Sequence, residues 1–249
     1  MKKLTAITLT LALALSLAAC GGKKDGEPAA SSAPFEDVKG EGVMTHDEYM
    51  KAAVDSTVTI EAYVQNKQSW WENKATLYTQ DQDGAFFVYD CACSEDDYKK
   101  LTTGTKIKVT GVKAEWNGEI EIADGTFVIE EGNYVAPAFD ATSLLGTADL
   151  EKHQNEFVSF KGLTVADKGD GQAFFYNWDN SGTQGDDLYF DVTAGGNTYS
   201  FTVESYLCGA DTEVYKAVEG LKVGDSIDCE GFLYWYEGAN PHITKVTVK

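Results

Sequence analysis

From residue 58 onward the chain alternates apolar and polar positions in short runs separated by turn residues. Val58-Thr59-Ile60-Glu61-Ala62-Tyr63-Val64 puts every second side chain on one face, the pattern of a half-buried strand. Val158-Ser159-Phe160-Lys161-Gly162-Leu163-Thr164 repeats that pattern one hundred residues later. Farther on, Leu101-Thr102-Thr103-Gly104-Thr105-Lys106-Ile107-Lys108-Val109-Thr110-Gly111 corresponds to Leu221-Lys222-Val223-Gly224-Asp225-Ser226-Ile227-Asp228-Cys229-Glu230-Gly231, now 120 residues apart. Two stretches that repeat in the same order mark two copies of one unit. The widened spacing predicts an insertion of twenty residues in the second copy, near 178–196, where Asp179-Asn180-Ser181-Gly182 and Ala194-Gly195-Gly196-Asn197 read as turns. Trp116-Asn117-Gly118 and Tyr236-Glu237-Gly238 take equivalent hairpin positions.

In the first copy the pattern predicts strands over Val58 to Val64, Ala75 to Thr79 and Ala85 to Tyr89, a helix over Glu95 to Leu101, and strands over Lys106 to Ala114 and Glu119 to Ile129. A short helix precedes them, because Thr45 and Glu48 have capping-box spacing and Tyr49, Met50, Ala53 and Val54 follow at helical intervals. Five strands with a helix between the third and fourth is the order of the OB-fold barrel. The glycine-started fourth strands, GTKIKVTG and GDSIDCEG, also resemble that family over nearly all of residues 56–249. The expected fold is mainly β: two tandem five-stranded OB-like Greek-key barrels, at 44–137 and 138–249, each preceded by a short helix. A two-sheet sandwich is the rival reading.

The amino terminus carries a different pattern. Met1-Lys2-Lys3, the apolar run Leu4 to Leu17, and Leu17-Ala18-Ala19-Cys20 have the charged start, short apolar core and small residues of a removable secretory segment. Together they resemble a bacterial lipoprotein signal, the rival being a plain secretory peptide with a chance cysteine. The resemblance implies that residues 1–19 are removed and that Cys20 is lipidated, with more than one acyl chain, as stable anchoring requires. Residues 20–43 are small, polar and without hydrophobic period; as flexible coil they hold the folded part about 27 Å from the membrane. The implied location is the outer face of the cytoplasmic membrane, or the outer membrane in a cell that has one. The whole chain resembles a bacterial lipoprotein family with tandem OB-fold domains, a likeness informative about fold and silent about activity.

Charge narrows the partners. All 20 basic residues are lysine, against 40 acidic ones. Without Lys2 and Lys3 the balance is 18 minus 40, or −22. Such a chain repels polyanions and lacks the guanidinium groups that read phosphate and guanine, which disfavours nucleic acid. Lys67 and Lys74 beside Trp70 and Trp71 are the local counter-signal, should they converge with Lys106 and Lys108.

Little in the chain points to catalysis. His46, His153 and His242 stand beside no nucleophile, and no nucleophile elbow, zincin helix or phosphate loop occurs. His46 and His153 are expected at the surface. Cys91-Ala92-Cys93 lacks the spacing of zinc or redox sites, so Cys91, Cys93, Cys208 and Cys229 are expected as small buried hydrophobes. Asp81-Gln82-Asp83-Gly84 falls short of a calcium loop and reads as a turn. No metal, cofactor or catalytic residue is expected.

The tryptophans supply the candidate site. Trp70 and Trp71 fall between strands one and two, Trp116 in the hairpin between strands four and five, and Trp235 in the matching hairpin of the second copy. Those are the loops with which an OB barrel binds, and exposed rings there stack on sugars or bases. Trp70, Trp71, Trp116, Tyr78, Trp235 and Tyr236 are therefore the candidate ligand-binding residues, with barrel packing as the alternative role. The expected function is a membrane-anchored, extracytoplasmic, non-catalytic binding protein for a glycan or peptide. The alternatives are an interaction module docking another envelope protein and a single-stranded nucleic-acid binder.

Overall fold

The computed structural model describes residues 39–249; the predicted signal, Cys20 and the tether as far as residue 38 lie outside the described residues. Folded structure begins earlier than expected. Lys39 pairs with Asp81, and Val43 is buried, so residues 39–43 belong to the first barrel and not to the tether. Helix α1 (His46–Lys51) opens at the predicted capping box, in which Thr45 Oγ1 accepts from the Glu48 amide and the Glu48 carboxylate accepts from the Thr45 amide. It seats the buried Tyr49 ring 5.1 Å from Phe86 at one end of the barrel.

The first barrel comprises β1 (Thr57–Lys67), β2 (Lys74–Gln80), β3 (Ala85–Ala92), helix α2 (Glu95–Lys100), β4 (Thr105–Trp116) and β5 (Glu119–Asn133). It closes in the order β1-β2-β3-β5-β4, all neighbours antiparallel except β3 and β5. Alternation sends Ile60, Leu77, Phe86, Val88, Ile107, Val109 and Ile122 inward.

The second unit begins with β6 (Phe139–Asp140) and two 3-10 helices, Thr142–Leu144 and Ala148–His153, the second of which is the short helix expected before the barrel. Then follow β7 (Phe157–Val165), β8 (Phe174–Tyr176), β9 (Leu188–Ala194), β10 (Asn197–Val203), helix α3 (Glu213–Glu219), β11 (Ser226–Phe232) and β12 (His242–Val248). The order β7-β11-β12-β10-β9 closes through a β7–β9 pairing, the same OB barrel around Phe160, Phe190, Phe201, Ile227 and Ile243. The insertion sits at 166–187, between the first and second strands, not at 178–196. Ala194-Gly195-Gly196-Asn197 is instead the turn of the β9–β10 hairpin, with both glycines at positive φ.

The repeat is visible in the backbone. Gly104 and Gly224, each just before the fourth strand, have φ of +91° and +94°. Gly111 and Gly231 each sit at an irregularity where the fourth strand meets the fifth; a Cβ on Gly111 would lie 2.8 Å from the Ala123 carbonyl, and one on Gly231 2.8 Å from Ile243 Cα.

An aromatic and polar seam joins the barrels. Tyr78, Phe87 and Phe232 are buried against one another, with Phe157 and Tyr234 packed around them. Tyr78 Oη lies 2.6 Å from His242 Nδ1, and the Tyr234 ring stacks on His242 at 4.3 Å. The β4–β5 hairpin reaches across: Gln154 Nε2 donates to the Gly118 carbonyl (2.8 Å), and the Trp235 amide donates to Glu119 Oε2 (2.9 Å).

Candidate ligand-binding groove

Because Ala75, Leu77, Phe86, Val88 and Ile122 fill the first barrel, their neighbours Thr76, Phe87, Tyr89 and Glu121 face outward on β2, β3 and β5. A groove of about 720 Å³ opens over this face. Gln68, Ser69, Trp71, Lys74 and Trp116 of the first barrel line it from one side, and Glu204, Tyr206, Tyr234 and His242 of the second barrel from the other. In an OB barrel the face of strands two and three, with these loops, is where ligands bind.

Local chemistry sets each ring. Trp71 and Lys74 pair across a tight turn whose central residues, Glu72 and Asn73, have φ of +47° and +62°. Such a turn lifts Trp71 clear of the sheet; it is 71 % exposed. Trp70 is held instead by its indole N–H, which donates to the Cys93 carbonyl at 2.9 Å. Asn117 and Gly118, both at positive φ, turn the β4–β5 hairpin and leave Trp116 61 % exposed. The Ser69 amide donates to the Tyr206 carbonyl (2.8 Å), tying the loop to the second barrel where the Tyr206 side chain stands exposed.

The groove is electrically acidic. Burial pushes Glu121 up to about 7, with Asp90 adding to the effect. Burial likewise raises Glu204 to about 7, aided by Asp187 and opposed by the Tyr206 and Leu207 amides that donate to its carboxylate. Lys74 is paired with Asp90 at 2.9 Å. The lysines do not converge: Lys67 donates to the Tyr98 carbonyl and lies over the Tyr98 ring, while Lys106 and Lys108 bind Glu61. His242 is pushed down to about 3 by burial and is neutral.

Of the predicted site residues, Trp71 and Trp116 line the groove. Trp70 is half-buried and lies outside its lining. Tyr78 departs from expectation: it is buried in the seam on His242, because its outward face on β2 is covered by the second barrel. Trp235 also packs in the seam, against Gly118, and Tyr236 is exposed away from the groove. Sequence reasoning missed Phe87, Tyr89, Asp90, Glu121, Glu204, Tyr206, Tyr234 and His242. Alternation along Ala85 to Tyr89 and Glu119 to Ile122 carried a signal for Phe87, Tyr89 and Glu121. The others depend on how the second barrel docks.

The remaining chemistry is quiet. His46 is half-buried against Phe86 under Gly84, not exposed as expected, and His153 stacks on Phe139 at 4.2 Å. Cys91, Cys93, Cys208 and Cys229 are free and buried, and burial raises each thiol, Cys91 and Cys208 to about 12. Among the described residues no group of three or more His, Cys, Asp and Glu is placed to hold a metal ion.

No protein-family model matches the chain, and no curated protein does. Solved structures with a similar path include a murine DNA-binding protein bound with double-stranded DNA (12 % identity, TM-score 0.38, 77 % of this chain and 96 % of that one). The Ifi202 HINa domain in complex with a 20-base-pair duplex follows at 11 % identity and TM-score 0.33, over 78 % and 98 % of the two chains. A replication protein A heterotrimer bound to single-stranded DNA matches at 11 % identity and TM-score 0.32, over 80 % of this chain and 51 % of that one. Strand order, not these distant likenesses, defines the two OB barrels.

Proposed function

We propose that the protein is a non-catalytic binding protein, anchored outside the cytoplasmic membrane through lipid on Cys20, whose groove takes a neutral or cationic glycan or peptide. One observation carries the reading: exposed aromatic rings, Trp71, Trp116, Tyr89 and Tyr206, stand over a floor containing Glu121, Glu204 and Asp90. Free ring faces stack on flat apolar surfaces, and carboxyls bond to hydroxyl, amide or ammonium donors. A phosphate chain entering the groove meets these carboxyls while Lys74 is already paired.

Single-stranded nucleic acid is the second reading, since OB barrels stack bases on rings in this position. The test is a binding screen of neutral glycans, peptides and oligonucleotides on a Cys20→Ser chain, a substitution expected to release the protein from membranes. Trp71→Ala and Trp116→Ala are each expected to weaken the retained ligand by about 1 to 3 kcal/mol while leaving the melting temperature nearly unchanged. Retention of oligonucleotides alone, with affinity falling steeply in salt, would replace the first reading by the second. Unchanged membrane partitioning of Cys20→Ser would remove the anchor.

A further inference from the structure

One carboxyl in the groove has no protein partner. Glu121 is only 8 % exposed, yet among the described residues no hydrogen bond or ion pair holds its carboxyl. Its neighbour Glu119 receives the Trp235 amide, Glu204 receives two amides, and Asp90 has Lys74. Among the described carboxyls that line the groove, Glu121 is the one without a protein partner. Unlike Glu119 Oε1, its oxygens are not fully shut from solvent, so water supplies their donors until a ligand replaces it.

We propose that Glu121 is the floor of an ammonium subsite, which takes the charged amine of a lysine-bearing peptide while the surrounding rings hold its alkyl stem. This rests on the groove being the binding site, and it selects the ligand class. The rings have the required character. Aromatic faces attract an ammonium group, more strongly when water is excluded. The groove supplies Trp71, Trp116, Tyr89 and Tyr234, and Tyr234 is fixed by stacking on neutral His242. The surplus of carboxyls over amines in the groove favours a cation, as does the chain's net charge of −20.

The groups that face Glu121 set the pH dependence. They are Asp90 with its partner Lys74, Tyr89 on β3, Glu119 on β5, Tyr234 beyond β11 and Tyr49 of α1, while Glu204 and His242 line the far wall. His242 stays neutral at ordinary pH. A cation arriving at a carboxyl raised to about 7 displaces its proton. Binding should therefore strengthen by up to about tenfold from pH 6 to pH 8 for one such carboxyl, with protons released.

The experiment titrates the Cys20→Ser chain with trilysine, with its fully Nε-acetylated form and with a neutral tetrasaccharide, at pH 6 and pH 8, in two buffers of different ionisation enthalpy. Trilysine is expected to bind at least tenfold more tightly than the acetylated peptide, more tightly at pH 8, and with proton release. Glu121→Gln should weaken it at least fivefold and abolish most of the pH dependence, whereas Glu131→Gln, an exposed change outside the groove, should leave it unaltered. Thermal melting of Glu121→Gln confirms that any loss is not unfolding. Equal or tighter binding of the acetylated peptide or the tetrasaccharide, still lost in Trp71→Ala, overturns the ammonium subsite but keeps the groove. Trilysine binding insensitive to both Glu121→Gln and Trp71→Ala overturns both, and absence of trilysine binding at millimolar concentration overturns the subsite.

Discussion

Glu119 offers a direct reading of what holds the two barrels together. Its side chain is fully buried in the seam; Oε2 accepts the Trp235 amide at 2.9 Å, while Oε1 has no partner and neither does the nearby Asn155 Oδ1. Each is a buried acceptor left without a donor. Burial pushes Glu119 from 4.5 up to about 8, outweighing the opposite pull of the Asn155 side chain and the Trp235 amide. Between those values the folded protein keeps a proton that the unfolded chain has lost. Stability therefore falls as pH rises through this window, by about 1.4 kcal/mol per pH unit, to a ceiling of roughly 5 kcal/mol above pH 8. Glu119→Gln keeps an acceptor for Trp235 and cannot ionise. It should match the parent near pH 4.5 and exceed it increasingly up to pH 8. Because Glu121, Glu204 and Asp81 are also raised to about 7, the parent's own profile is a sum; the difference between the two proteins isolates Glu119. Urea denaturation at pH 5, 6.5 and 8 measures it. A variant less stable than the parent at pH 8, or a difference independent of pH, would refute the argument.

Other consequences are simpler. Tyr78→Phe removes the hydroxyl 2.6 Å from His242 Nδ1 and leaves that buried nitrogen unpaired, so it should cost about 1 to 3 kcal/mol in denaturant unfolding; a neutral result would mean the seam tolerates the loss. Gly231→Ala forces a Cβ onto the backbone at His242 and Ile243 and should cost at least about 1 to 3 kcal/mol, whereas Gly209→Ala, whose nearest contact is 3.4 Å, should stay within about 1 kcal/mol. Cys229 is buried in the second core with its thiol raised, so a polar maleimide should label it only after unfolding; rapid labelling of the native protein would contradict that placement.

The architecture was legible because it is written in short-range pattern. Alternation at Val58 to Val64 and Val158 to Thr164 marks barrel strands, and Gly104 and Gly224 stand where both copies need positive φ. Thr45 and Glu48 cap a helix locally, whatever packs on it later. The insertion was misplaced because Gly195-Gly196 makes a turn in either setting, and only pairing of β9 with both β10 and β7 shows which strands it joins. The start of the folded body was missed for a related reason: Lys39 and Val43 lie in a polar, patternless stretch and are fixed by partners in the barrel.

The same division runs through the site. Sequence by itself determined that aromatic rings occupy the loops between strands one and two and between strands four and five, that the chain is acidic, and that the described cysteines are core residues. Trp71 and Trp116 are exposed because tight turns beside them, Glu72-Asn73 and Asn117-Gly118, have local conformational preferences. Tertiary structure decided which rings share a groove. Tyr78 and Tyr89 both point outward from neighbouring strands, yet the second barrel covers Tyr78 and leaves Tyr89 open. Glu121 and Glu204 lie 83 residues apart and acquire their raised proton affinity only when folding removes water from both. Side-chain direction follows from backbone period, which a sequence displays. Burial and charge environment depend on contacts between segments distant along the chain, which docking of the barrels creates.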